Sequence, residues 1–171
     1  MVGHVDGVAD MRSLASWMAA QFDPRLSCDD VKRTQDRRGR PAILKGLMDA
    51  EDADRAASSG VAAIIVSNHG GRQLDGAPSS ISALPGIAPA VGGKVDVLMD
   101  GGITSVQDVI QTLALRARGV LLGRSFVYGL GALGEAGVTR ALEIIRRELQ
   151  ITMALCGVRD VKDVGRGILA A

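Results

Sequence analysis

A chain of 171 residues with 47% hydrophobic content has the size of one domain and ample apolar material for a core. Its 20 basic and 19 acidic residues leave a net charge of +1, so the sequence carries no overall attraction to nucleic acid or to an anionic membrane. No apolar run approaches the roughly 18 residues of a membrane-spanning helix and the start lacks a signal-peptide pattern, so the expected location is cytoplasmic, at most peripheral at the inner face of the membrane.

Only Trp17, Phe22, Phe126 and Tyr128 are aromatic, against 22 glycines. That balance favours alternating strands and helices packed through Ala, Val, Ile and Leu over a β-sandwich. Cys28 and Cys156 belong to no metal-ligand spacing and read as reduced thiols; no metal is expected.

Residues 1–40 read as a helical and irregular lead-in, and 41–171 as the body of the fold. Met11, Leu14, Ala15, Met18 and Phe22 fall at helical spacing from Asp10 onward, and Asp23-Pro24 ends the pattern. The charged stretch Lys32 to Arg40 reads as a solvated helix end and turn. His4 belongs to no motif. From Pro41 the chain alternates, with short apolar runs at Ala42 to Lys45, Ala62 to Val66, Val95 to Met99 and Val120 to Leu122, which predict buried parallel strands. Asp49 with Asp52 predicts the start of a helix that Gly60 ends, and Ser105 with Asp108 predicts a second capped start. A last helix, about Val138 to Leu155, carries Val138, Leu142, Ile145, Leu149 and Met153 on one stripe. Four βα units are the expected architecture.

In a β/α succession, chemistry gathers at the carboxyl ends of the strands. The first strand ends at Lys45-Gly46, and a lysine there needs an anion or an electron-rich partner. The second leads to Ser67-Asn68-His69-Gly70-Gly71-Arg72, which sets an imidazole able to take a proton near a guanidinium able to clamp a carboxylate. The third ends at Asp100-Gly101-Gly102 before a helix start, a pattern suited to cradling a phosphate. The fourth ends at Gly123-Arg124, and loops after two consecutive late strands commonly hold one phosphate between them. Base, carboxylate clamp, lysine and phosphate cradle form one consistent set.

The stretches KGLMDAEDADRA, VSNHGGRQLDGAPSSISALP, DGGITSVQDV and GRSFVYGLGALGEAGV resemble the FMN-dependent 2-hydroxy-acid dehydrogenase and oxidase family. The resemblance runs from about Asp10 to the C-terminus. It implies the C-terminal half of a TIM-type (β/α)8 barrel and the oxidation of an L-2-hydroxy acid, L-lactate first, to the 2-keto acid, with FMN as cofactor. It implies His69 as catalytic base and Arg72 as the residue holding the substrate carboxylate. Lys45 and Ser67 would contact the flavin ring, and Asp100, Gly101, Gly102, Gly123 and Arg124 the rest of the cofactor. Whether the α-hydrogen leaves as hydride or proton stays open, as does the electron acceptor; either route requires neutral His69 and predicts loss of activity in acid.

Three departures from the family pattern stand out. An eight-stranded barrel needs about 250 residues, whereas four βα units leave two strand edges and an inner face uncovered, so a second copy or an N-terminal half is the expected partner. Thr104 stands where the family pattern has an arginine. Leu115-Arg116-Ala117-Arg118-Gly119 lacks a helix-ending glycine, at a cost of about 1 kcal/mol if the position is left-handed. Two other readings remain: a half barrel without catalysis of its own that needs a partner half, and a different phosphate-binding β/α enzyme, for which His69 and Arg72 would have no evident use.

Overall fold

The four apolar runs form one parallel sheet in the order β1-β2-β3-β4, so each strand pairs with the next one in the chain. A computed structural model describes residues 10–21 and 23–170; Phe22 at the end of the first apolar stripe, and His4, lie outside them. The strands are β1 (Ile43–Leu47), β2 (Ala63–Val66), β3 (Asp96–Met99) and β4 (Gly119–Val120). Helix α3 (Ala50–Ser58) joins β1 to β2, α4 (Ser80–Val91) joins β2 to β3, α5 (Val106–Ala114) joins β3 to β4, and α6 (Arg124–Leu155) follows β4. This is half of a TIM-type (β/α)8 barrel.

Before the sheet lie α1 (Met11–Gln21) and α2 (Cys28–Arg38), neither of which has a buried residue. The charged stretch from Lys32, expected as a helix end, is the second half of α2. The signal missed was Ser27 with Asp30: the Asp30 carboxylate accepts from Ser27 N–H at 2.7 Å and from its hydroxyl at 2.8 Å, a local start signal ahead of the charges. Gly39, at φ +58°, closes the helix in the left-handed region.

One face of the sheet carries the core. Ile64 and Val66 of β2 and Val97 and Met99 of β3 pack against Ala53 and Ala56 of α3 and Leu84, Ile87 and Val91 of α4. Alanines on α3 let its axis approach closely. Alternation turns Ile43, Lys45, Ala63, Ile65 and Leu98 to the opposite face, which corresponds to the inside of a barrel. Ile43 pairs with Ala63, and Ile65 pairs with both Lys45 and Leu98.

Helix α4 had no counterpart among the expected elements, because Pro85 and Pro89 lie inside it and proline argues against a helix interior. The fourth strand is shorter than expected and begins one residue earlier. Leu121 extends its ladder by one hydrogen bond, N–H to Met99 C=O at 2.9 Å. The last helix begins at Arg124, well before Val138. It is broken at Leu133 (φ −141°) and Gly134 (φ +58°, ψ −136°) into two arms. These arms meet backbone to backbone: a methyl group at Gly129 or at Gly137 would run into the other's carbonyl.

Candidate active site

Strand geometry brings the marked residues together. Ser67 lies two residues beyond Ile65 and Asp100 two beyond Leu98, so both continue the inner face on which Lys45 sits. Between Lys45 and Leu47 the β1–β2 register slips, leaving Gly46 as a bulged residue at φ +100°. Bulges re-aim neighbouring side chains. Lys45 Nζ donates to Ser67 Oγ at 3.0 Å and pairs with Asp100 Oδ2 at 2.7 Å, tying three strand ends through one ammonium. The other oxygen, Asp100 Oδ1, is buried and has no hydrogen-bond partner among the described residues. An orphaned carboxylate oxygen costs about 1–3 kcal/mol or more and marks a place for a donor.

His69 opens a single 3-10 turn (His69–Gly71) and itself has φ +55°. Its N–H donates to Ser67 Oγ at 3.1 Å, so the Lys45 network also holds the backbone of this residue. The imidazole is exposed, and among the described residues neither ring nitrogen has a hydrogen-bond partner. Arg72 closes the same turn.

A cleft of about 330 Å³ lies over this arrangement, lined by Lys45, His69, Arg72, Asp100, Gly102 and Arg124. Gly101 and Gly123 also line it. Ser67, 1% exposed, is the one marked residue that lies beneath the cleft instead of on it. Lys45 is neutralised by Asp100, whereas Arg72 and Arg124 have no ion pair among the described residues. Two free guanidiniums make the cleft suited to two anionic groups.

The two glycines after Asp100 have different reasons to be glycine. A methyl on Gly101 would stand 3.0 Å from both Asn68 Oδ1 and Ser80 Oγ, so its bareness lets the loops after β2 and β3 interlock. Gly102, at φ +79°, faces open space and leaves its backbone accessible.

Asn68 and Ser80 were not singled out from the sequence, yet they hold the loop. Asn68 Oδ1 accepts from Gly70 N–H at 3.0 Å, its Nδ2 donates to Pro78 C=O at 3.1 Å, and its own N–H donates to Ser80 Oγ at 3.2 Å. The bond two residues on is the asparagine turn that could have been read locally; the bond to Ser80 joins positions twelve apart and could not.

Thr104 has a use of its own. Its N–H and hydroxyl donate to Asp108 Oδ2 at 2.9 and 3.1 Å, beside those of Ser105 at 2.7 and 2.9 Å. Burial pushes the Asp108 carboxyl up, but these four bonds outweigh it and hold the group below its ordinary 3.8. Thr104 therefore braces the carboxylate of the α5 capping box, whose N-cap is Ser105.

Comparisons with known proteins give one consistent result. The sequence pattern of the FMN-dependent dehydrogenase family matches residues 2–171. The chain is 50% identical over 169 residues to an L-lactate dehydrogenase of Caulobacter vibrioides, covering 99% of this chain and 43% of that protein. It is 48% identical over 148 residues to an L-lactate dehydrogenase of Pectobacterium atrosepticum, covering 86% and 38%. Among solved structures it is similar to a mandelate oxidase with (S)-4-hydroxymandelic acid (TM-score 0.88, 38% identity, 94% of this chain and 46% of that one). It is also similar to a monotopic membrane protein, (S)-mandelate dehydrogenase (TM-score 0.87, 34% identity, 97% and 44%). The chain thus spans less than half the length of these relatives. Among the described residues no helix is long and apolar enough to cross a membrane.

Proposed function

Because the chain belongs to the FMN-dependent dehydrogenase family, we propose that its cleft forms the carboxyl-terminal part of a site that oxidises an L-2-hydroxy acid, L-lactate first, to the 2-keto acid. The observation that carries the reading is the convergence of His69, Arg72, Arg124 and the Lys45–Asp100 pair on one cleft.

The residues fit FMN, the family's cofactor. Arg124 and the open backbone of Gly102 and Gly123 suit its phosphate, and the orphaned Asp100 Oδ1 is an acceptor for a hydroxyl of its sugar chain. Lys45, held by Ser67, suits the electron-rich edge of the ring. When bound, FMN supplies the two-electron acceptor that no side chain here can provide. Arg72 holds the substrate carboxylate through two parallel hydrogen bonds and so fixes which face is presented. His69 takes the proton that the substrate loses, a role that requires its ring to be neutral.

The preference for L-lactate rests on the higher identity to the L-lactate dehydrogenases than to the mandelate enzymes. One observation favours a second reading, in which the chain alone binds FMN without turnover: no described residue orients the His69 ring by hydrogen bonding. An imidazole without an orienting acceptor loses effectiveness.

Titration with FMN followed by anaerobic L-lactate separates the readings. Binding with bleaching of the flavin absorbance is expected for the working site, with bleaching slowed by a factor of about 100 to 10,000 in His69→Gln. Binding without bleaching selects the second reading, and bleaching unaltered by His69→Gln removes His69 from the chemistry.

A further inference from the structure

The register slip makes Gly46 an extra residue at the end of β1, at a φ of +100° that side chains rarely adopt. Separately, the ring of His69 lies over it. A methyl on Gly46 would stand 2.8 Å from His69 Cε1, 3.6 Å from Nδ1 and 3.7 Å from Nε2. We propose that Gly46 is a positioning residue, its bare backbone forming the seat on which the His69 imidazole rests; the catalytic part of this inference depends on His69 being the base.

The seat faces the carbon between the two ring nitrogens, the ring atom nearest to an added methyl. Contact there restrains the ring and consumes neither nitrogen, so one stays free to receive the substrate's proton and the other to meet an orienting acceptor. The same bulge also holds the residue's backbone: His69 N–H is bonded to Ser67 Oγ, which accepts from Lys45, the residue before Gly46. Ring and backbone of the base are thus both referred to the end of β1. A Cβ at position 46 would fall about 1 Å short of an ordinary carbon contact of ~3.5–4.0 Å, so the ring must move by that amount. A misplacement of about 1 Å in a reacting group can cost about 100-fold in rate.

The test begins with the unaltered chain by NMR. It has two histidines, His4 and His69, and His69→Gln assigns their ring signals. A nuclear Overhauser effect between the His69 ring Cε1 proton and the Gly46 α-protons is expected, and its absence overturns the proposal whether or not any position 46 variant folds. Gly46→Ala is expected to move the His69 signal and leave that of His4. Gly60→Ala, at a similar φ of +83° but in open space, is expected to move neither; an equal response of His69 to both variants would assign the effect to backbone strain and overturn the seat. With FMN bound, Gly46→Ala should lower kcat about 100-fold with KM within about threefold, and add nothing in a His69→Gln background. A full additional loss in that background overturns the proposal. Wild-type kcat in His69→Gln overturns its catalytic part, and the Overhauser effect, if present, then shows that the reading of the base failed and the contact did not.

Discussion

Asp108 collects four hydrogen bonds on one oxygen, and its charge state is therefore linked to stability. The folded carboxyl is held below its ordinary 3.8, so its contribution is present above that value and is lost as pH falls through the lowered one. Asp108→Asn should cost about 1 kcal/mol at neutral pH, and the gap to wild type should begin to narrow as pH falls below about 4 and vanish only below the lowered folded value. Urea midpoints at neutral pH and below that lowered value measure this; an equal gap at both would contradict it. Arg116 carries the opposite sign. It has φ +76° just past the end of α5, the left-handed position that the sequence departure anticipated. Arg116→Gly should stabilise by about 1 kcal/mol, raising Tm by roughly 2–4 °C. Such residues were legible because capping and left-handed closure are set within four or five positions. The bond of Asn68 to Ser80 was not, because it exists only once two loops have met.

Among the elements, the buried strands were the most legible, since continuous apolar runs bounded by turn residues have few other uses. Their ends were less so: the bulge at Gly46 arises from pairing with β2, and no pattern within β1 announces it. Helix α6 departs furthest from expectation. Its first arm, from Arg124 to the break, carries Gly129, and its second carries Gly137, and the arms touch through those two glycines. Small residues separated by a turn gave no periodic signal. The contact is backbone on backbone and has no flexible side chain to yield, so Gly137→Ala should destabilise by about 3 kcal/mol and lower Tm by roughly 6–12 °C. Thermal melting followed by circular dichroism checks this; a Tm within 2 °C of wild type would mean that the arms separate freely.

For the whole molecule, the alternation of strands and helices was enough to give the half barrel and the clustering of the strand ends, whereas what covers the inner face was beyond reach. That face begins at Ile43, 53% exposed on edge strand β1, and among the described residues neither β1 nor β4 has a second strand neighbour. Open edges with apolar flanks pair with other chains. The 171-residue chain alone should therefore self-associate as its concentration rises, and Ile43→Lys should shift it toward monomer in sedimentation velocity; a wild-type monomer at every concentration would contradict this. The strictly sequential sheet order has a further consequence, for synthesis on the ribosome. Strands β2, β3 and β4 begin at residues 63, 96 and 119, each 20 to 33 residues after the one before. At about 5–20 residues per second, each emerges within about 1–7 s of its neighbour and finds its earlier partner already outside the exit tunnel. The sheet can therefore grow strand by strand from β1 toward β4 as it is made.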